Sequence, residues 1–145
     1  MTGYLLDANV LIALMFPNHE SHQHARAWFQ RNSHEGWVTC PFTEAAFVRI
    51  VSNAAVFPEA VELQQAVALL EENLQDARHR FWADDVSVAK AVQPFFKRLK
   101  GHKQVTDAYL LGLALHKKGR LVSLDRGILD LLPAKGMERD LVVLI

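Results

Sequence analysis

The chain has 145 residues, a length that predicts one domain over residues 1–145. Half of the residues are hydrophobic and 22% are charged, which excludes a largely disordered protein. Its 16 basic residues cancel its 16 acidic residues, so net charge cannot attract a polyanion and nucleic-acid binding would need a local basic patch. The single cysteine, Cys40, excludes an intramolecular disulfide and fits a reducing compartment. No secretory signal is visible in the sequence, which predicts a cytoplasmic location.

Short apolar runs alternate with longer segments of helical period, as in a parallel sheet covered by helices. In chain order, the predicted elements are a strand at Tyr4–Leu6, helices at Asn9–Met15 and Glu20–Arg31, a strand at Trp37–Thr39, helices at Thr43–Val51 and Glu59–Leu74, a strand at Phe81–Trp82, a helix from Ser87 to about Leu99, a helix at Thr106–Lys118, and strands at Leu121–Leu124 and Leu141–Leu144. The predicted fold class is therefore α/β with a central, mostly parallel sheet. No membrane contact is expected, because the longest uncharged apolar stretch, Ala8–Pro17, is far shorter than the ~20 residues of a membrane-spanning helix.

Four acidic residues lie beside apolar segments that are predicted to be buried. Asp7 and Asp125 each end a predicted strand, at the edge where open α/β sheets place their ligands. Glu44 and Asp107 open predicted helices; Thr106 is expected to cap the second of these, which puts Asp107 in its first turn. Carboxylates brought together repel one another unless a divalent cation keeps them ionised. The pattern therefore predicts a metal site.

The residue types indicate which metal and which chemistry this site would have. Carboxylates without accompanying cysteine or histidine ligands favour a hard cation, Mg²⁺ or Mn²⁺, over zinc. Such ions activate water for attack on a phosphodiester and neutralise the leaving oxygen. Asn9 is expected to hold Asp7 by a hydrogen bond, and Arg126 to hold a substrate phosphate. Thr106, beside Asp107, is a further candidate to support the ligands or to contact substrate.

Each of these residues also has an ordinary structural explanation. An acidic residue at a helix start is commonly a cap or a partner of the helix dipole, and aspartate after a strand is commonly a turn former. The one dense positive cluster, Lys97–Lys103, offers Lys100 and Lys103 as substrate contacts, but a charge run by itself is more often a solvated connection. The joint pattern of four carboxylates is a stronger indication than any member alone.

Four short motifs occur along the chain in the order that is typical of one protein family. They are Leu5–Ile12 (LLDANVLI), Thr43–Phe47 (TEAAF), Val105–Leu111 (VTDAYLL) and Leu121–Gly127 (LVSLDRG). Together they resemble the PIN-domain family, and their order is most similar to the VapC-type toxins of bacterial toxin–antitoxin pairs. The resemblance covers essentially the whole chain. It implies an α/β/α sandwich and a Mg²⁺- or Mn²⁺-dependent endoribonuclease that cuts tRNA or rRNA.

The resemblance also assigns individual positions. The acidic quartet of the family is matched by Asp7, Glu44, Asp107 and Asp125. Asn9 matches its small polar residue, whereas Ser123 stands where threonine is commoner and Ile128 where an aromatic residue is frequent. The family further implies a homodimer and a VapB-type antitoxin that blocks the active site and binds operator DNA. DNA would then be contacted only through the antitoxin.

Two other functions remain open from the sequence. A PIN-fold protein can bind RNA or a protein partner without cutting, although an intact acidic quartet disfavours this. An aspartyl-phosphate phosphohydrolase would use Asp7 as its nucleophile, and that chemistry expects a second acidic residue two positions later. Asn9 occupies that position, which counts against the phosphohydrolase.

Overall fold

The computed structural model describes residues 3–145, apart from the side chains of residues 137 and 138, and is built on a five-stranded parallel sheet. The strands are β1 (Tyr4–Leu6), β2 (Trp37–Thr39), β3 (His79–Phe81), β4 (Arg120–Ser123) and β5 (Val142–Leu144). Their spatial order is β3-β2-β1-β4-β5, and each neighbouring pair is parallel. The strand that begins the chain therefore lies at the centre of the sheet.

Helices cover both faces of this sheet. In the described part of the chain the α-helices are α1 (Ala8–Met15), α2 (His22–Asn32), α3 (Pro41–Val51), α4 (Leu63–Leu74), α5 (Val88–Val92) and α6 (Val105–His116). Because successive strand residues point to opposite faces, Leu6 packs with Leu11 and Phe47 on the face of α1 to α4, while Leu5 packs with Leu111 on the face of α5 and α6. The predicted α/β/α sandwich is confirmed.

The order of the strands reverses at β1. The chain steps from β1 to β2 to β3 through α1 to α4, and then returns through α5 and α6 to β4 on the other side of β1. The segment after β1 packs on one face of the sheet, whereas the 3₁₀ helix after β4, Arg126–Leu131, packs on the other. Such a reversal opens the ligand-binding crevice of α/β sheets at the carboxyl ends of the two strands.

The helix predicted from Ser87 to about Leu99 is divided. The α-helical part, α5, ends at Val92, and a 3₁₀ helix continues over Gln93–Arg98. Pro94 accounts for the change, because it lacks a backbone N–H and its ring crowds the preceding turn.

Two further predicted elements have shifted boundaries. The helix predicted to begin at Glu59 begins instead at Leu63, where the Gln65 side chain accepts a hydrogen bond from the Glu62 N–H and closes the helix start. Strand β3 begins two residues before its predicted start, at His79. It is an edge strand that begins with the polar residues His79 and Arg80. The apolar pair Phe81–Trp82 therefore marks only the end of the strand and not its start.

The remaining predicted strands and helices are present, with ends shifted by at most two residues. Within the described residues, no helix combines the length and the apolar character needed to cross a membrane.

The contact between α5 and α6 yields a stability prediction. A Cβ atom at Gly112 of α6 would overlap the backbone of Ala91 in α5. We expect Gly112→Ala to lower the free energy of unfolding by about 3 kcal/mol, because backbone atoms cannot move aside as a flexible side chain can. Gly101→Ala is the matched control, since a Cβ there meets no atom within 4 Å. Urea unfolding compares the two; equal stability of both variants would contradict this packing.

Candidate active site

Two of the predicted carboxylates lie on neighbouring strands at the carboxyl edge of the sheet. Asp7 directly follows β1 and Asp125 follows β4 by two residues. Asp7 Oδ1 accepts a hydrogen bond from the Ala8 N–H at 2.8 Å and caps α1, while Asp125 Oδ1 accepts from the Gly127 N–H at 2.8 Å and caps the 3₁₀ helix after β4. Each carboxylate therefore uses one oxygen to begin the next element, and both lie where the strand order reverses.

A polar network holds the second oxygen of Asp7. Ser123 Oγ donates to Asp7 Oδ2 at 2.8 Å and accepts from the Asp125 N–H at 3.0 Å. Asn9 Nδ2 lies 3.2 Å from Ser123 Oγ and 3.5 Å from Asp7 Oδ2, and Asn9 Oδ1 accepts from the Leu124 N–H at 3.1 Å. The network joins the ends of β1 and β4 and fixes the direction of the Asp7 carboxylate.

Asp107 approaches the same edge from the first turn of α6. Burial raises the pKa of Asp107 to about 6, and the neighbouring charges of Asp7 and Asp125 contribute to the increase. Burial also raises the pKa of Asp7, against the hydrogen bonds from Ser123 and Ala8, and the charge of Asp125 adds to that rise. The three carboxylates are therefore close enough to repel one another.

These three carboxylates have the donor chemistry of a hard-cation site. Their ligand atoms are all oxygen, which suits Mg²⁺ or Mn²⁺. A divalent charge among them would offset both the burial and the mutual repulsion that raise the pKa of Asp107. Within the described residues, no group of three or more Asp, Glu, His or Cys side chains is arranged closely enough to hold a metal ion as it stands. The carboxylates thus share one edge of the sheet without forming a preformed cage.

Glu44 is held differently from the other three. It lies half-buried in the first turn of α3, and its Oε2 atom accepts a hydrogen bond from Thr39 Oγ1 at 2.7 Å. Thr39 is the last residue of β2 and is completely buried, and its hydroxyl also lies 2.7 Å from His79 Nε2. The described contacts therefore tie Glu44 to the end of β2, next to the edge where the other three carboxylates meet.

Sequence reasoning missed Thr39 and His79. Thr39 is the one polar side chain of β2 and is directly followed by the turn into α3, which is a signal that could have singled it out. His79 gave no comparable signal, because it lies 40 positions away and meets Thr39 only through the pairing of β2 with β3.

The predicted capping role of Thr106 is wrong. Helix α6 begins at Val105, with Gln104 in the cap position and no side-chain capping hydrogen bond. A 3₁₀ turn at His102–Gln104 runs directly into α6, so the helix starts before Thr106 can cap it. Thr106 is exposed at the second helical position, while Asp107 is in the first turn as expected.

The three cationic candidates are exposed. Arg126 directly follows Asp125 and opens the 3₁₀ helix after β4. Lys100 and Lys103 lie in the segment that enters α6, where the Lys100 N–H donates to Gln104 Oε1 at 2.6 Å. Their charged groups are therefore placed by the segments that also present Asp125 and Asp107.

Comparison with known proteins supports one family assignment. The PIN domain family model matches residues 4–131. Ribonuclease VapC38 of Mycobacterium tuberculosis is 43% identical over 127 residues, which cover 88% of this chain and 88% of that protein. Ribonuclease VapC39 and ribonuclease VapC44 of the same species are 42% and 40% identical, over 87% and 86% of this chain and 91% and 87% of their own lengths.

A solved structure has a similar fold. The crystal structure of PAE2754 from Pyrobaculum aerophilum superposes with a TM-score of 0.60, covering 90% of this chain and 79% of that chain. The identity is 21%, so this similarity supports the fold alone.

Proposed function

The chain belongs to the PIN-domain family, among its VapC-type members, and from this membership we propose that it is a Mg²⁺- or Mn²⁺-dependent endoribonuclease, a hydrolase acting on phosphodiester bonds. The observation that carries the proposal is the convergence of Asp7, Asp107 and Asp125, whose charges act on one another where the strand order reverses. The similar proteins are themselves named ribonucleases.

In this proposal, each carboxylate has a defined part. Asp7, Asp107 and Asp125 hold the divalent ion, and Ser123 and Asn9 keep Asp7 turned toward it through the hydrogen bonds described above. When bound, the ion supplies the positive charge that activates a water and neutralises the leaving oxygen of the RNA backbone. Glu44 completes the acidic set from the end of β2, either directly or through a water.

The exposed cations are proposed to bind the RNA backbone. Arg126 has the donor geometry to hold a phosphate next to Asp125. The segment Lys97–Lys103 adds several cations close to the start of α6, together with the exposed ring of Phe96. Exposed aromatic rings stack on unpaired bases, and cations bind phosphates. These features support a single-stranded part of tRNA or rRNA as the substrate.

The basic segment can be tested by charge reversal. We expect Lys100→Glu with Lys103→Glu to weaken RNA binding at least ~10-fold and to lower the salt slope of log K by about 1.4, since each phosphate contact to a single strand contributes about 0.7. Binding is measured against salt concentration in an Asp7→Asn background, so that the RNA stays intact.

The control for this charge reversal is Lys90→Glu with Lys118→Glu. This pair makes the same change in net charge at the other end of α6. Lys90 lies beside the C-terminal end of α6, and Lys118 follows that end. If both double variants lose affinity equally, the Lys97–Lys103 segment has no special role and only net charge matters.

A protein partner is the second part of the proposal. We propose that the chain is the toxin of a toxin–antitoxin pair, that it forms a homodimer, and that a VapB-type antitoxin covers its active site and contacts operator DNA. A cleft of about 620 Å³ begins at Asn9, beside the site, and has mainly apolar walls that include Ile12, Phe16, Ile50 and Phe57. Its position supports an antitoxin segment that reaches the acidic edge. The RNA substrate implies action in the cytoplasm.

Three substrates separate this function from its alternatives. The purified, partner-free protein is incubated with Mg²⁺ or Mn²⁺ and total cellular RNA, single-stranded DNA or a small phosphomonoester. Discrete cuts in RNA alone support the endoribonuclease. Hydrolysis of the phosphomonoester alone would favour an aspartyl-phosphate enzyme, and RNA binding without cuts by folded protein would favour a silent binding module.

A further inference from the structure

Three polar side chains form a hydrogen-bonded row at the end of β2. His79 Nε2 lies 2.7 Å from Thr39 Oγ1, and Thr39 Oγ1 lies 2.7 Å from Glu44 Oε2. The His79–Thr39 distance is at the short end of the range for N–H···O hydrogen bonds, and the Thr39–Glu44 distance is typical of an O–H···O hydrogen bond. The middle member, Thr39, has no exposed surface, so water does not compete for its hydroxyl.

Valence determines the direction of these two hydrogen bonds. An ionised carboxylate only accepts, so the single hydroxyl proton of Thr39 is donated to Glu44. The Thr39 oxygen then accepts from His79 in the tautomer that carries its hydrogen on Nε2. The row runs from His79 through Thr39 to Glu44, and the orientation of each member is set by the next.

The sheet itself holds the far end of this row. Strands β2 and β3 pair in parallel with Trp37 opposite His79, so Trp37, Thr39 and His79 share one face of the sheet. The Trp37 and His79 rings pack with their centroids 4.7 Å apart and their planes at 54°. The imidazole therefore lies against the buried indole and reaches along β2 to the hydroxyl two residues further on.

We propose that Thr39 and His79 are positioning residues that hold the Glu44 carboxylate toward the acidic edge of the sheet. With Oε2 bound to Thr39, the other oxygen of Glu44 is left to face the divalent ion or a water beside it. Without this hydrogen bond, the half-exposed side chain at the start of α3 would sample several rotamers. The inference rests on the proposed function, because it gives Glu44 a part in that site.

Removing the hydroxyl tests the near half of the row. Thr39→Val keeps the shape and burial of the side chain but removes the donor, whereas Thr39→Ser keeps the hydroxyl. We expect Thr39→Val to weaken Mn²⁺ binding, measured calorimetrically, by roughly 10–100-fold and to lower kcat for RNA by a similar factor while leaving KM unchanged. Thr39→Ser should restore most of both.

Removing the ring nitrogens tests the far half. His79→Phe keeps a ring against Trp37 but has no Nε2 donor, and His79→Gln offers an amide N–H at a similar distance from the backbone. We expect His79→Phe to lower Mn²⁺ affinity and kcat by about 10-fold, at the lower end for a partner that acts through another residue. His79→Gln should recover most of this loss.

Matched controls separate positioning from loss of stability. Ser33→Ala removes another buried hydroxyl, one that accepts a hydrogen bond from Arg78 ahead of the amino end of β2. His22→Phe removes another half-buried histidine, which contacts the Ala13 carbonyl. Both controls should lower the free energy of unfolding without changing Mn²⁺ affinity or kcat.

Two results would overturn the positioning role. One is wild-type Mn²⁺ affinity in Thr39→Val and His79→Phe; the other is a fall in affinity that the Ser33→Ala and His22→Phe controls share. Failure of the proposed function gives a different result. A wild-type protein that binds Mn²⁺ but cuts no RNA would refute the endoribonuclease. The Mn²⁺ affinities of the Thr39 and His79 variants would still test the positioning role.

Discussion

Replacement of Asp7 by asparagine is expected to lower the rate of RNA cleavage by about 10³-fold or more. The change removes the charge of a carboxylate that lies at the reversal of the strand order and interacts with Asp125 and Asp107. If Asp7 is a direct metal ligand, the loss amounts to several kcal/mol of transition-state stabilisation, and each 1.4 kcal/mol corresponds to about a tenfold change in rate.

The same variant should remain folded. Asparagine keeps an oxygen that can accept from the Ala8 N–H and cap α1. It loses the acceptor for Ser123 Oγ, but it also removes a buried charge that the neighbouring Asp125 destabilises. We therefore expect the free energy of unfolding in the absence of metal to change by less than about 1 kcal/mol.

The measurement is the single-turnover rate of RNA cleavage, with urea unfolding of the same preparation. Asp130→Asn is the matched control, because it makes the same chemical change at an exposed aspartate and should cleave like the wild type. Wild-type cleavage by folded Asp7→Asn would show that Asp7 has no catalytic part.

Replacement of Asp107 by asparagine is the second prediction with a large effect. It should abolish cleavage to a similar degree and, unlike most substitutions, stabilise the metal-free protein at pH 8. The reason is that burial and the charges of Asp7 and Asp125 raise the pKa of Asp107 from 3.8 to about 6. The ionised form is therefore disfavoured in the folded state, and the substitution removes it.

The sign of the pH dependence follows from linkage. In the folded protein Asp107 binds its proton more tightly than in the unfolded chain, so its contribution to stability falls as the pH rises from about 4 to about 6 and stays low above that range. Because the Asp107 side chain is only partly buried, solvent screening reduces the cost of its ionised form in the folded protein to about 1–2 kcal/mol. The Asp107→Asn variant and the wild type should differ by this amount at pH 8 and little at pH 4.

Urea unfolding in EDTA at the two pH values measures this difference. Added Mg²⁺ should then stabilise the wild type and have a much smaller effect on Asp107→Asn, because the ion binds the folded wild-type site. Equal stability of the two proteins at pH 8 would mean that Asp107 is not held near the other carboxylates.

The sequence contained enough information to locate most of the acidic edge. Asp7 and Asp125 end strongly apolar runs, and parallel strands bring such ends to one edge of the sheet. Asp107 opens a helix with a clear pattern, and that helix starts within one residue of its predicted position. These three residues were predictable because each depends on a local pattern and on one general rule of α/β topology.

Other parts of the site depend on tertiary contacts that no local pattern encodes. Thr106 has the residue type of a cap, yet the preceding 3₁₀ turn starts α6 earlier. His79 lies on an edge strand with little apolar character, and its contact with Thr39 depends on the register of β2 and β3. The attachment of Glu44 to Thr39 was hidden for the same reason, since a helix-opening glutamate alone indicates only a cap.

The most direct test of the central claim is a metal titration of RNA cleavage by folded, partner-free protein, with the new RNA ends mapped by sequencing. The account predicts discrete cuts that appear with Mg²⁺ or Mn²⁺, disappear with EDTA and return when the metal is restored in excess. Cleavage that continues at the same positions and rate in EDTA would contradict it, because Asp7, Asp107 and Asp125 would then act without the ion they are proposed to hold.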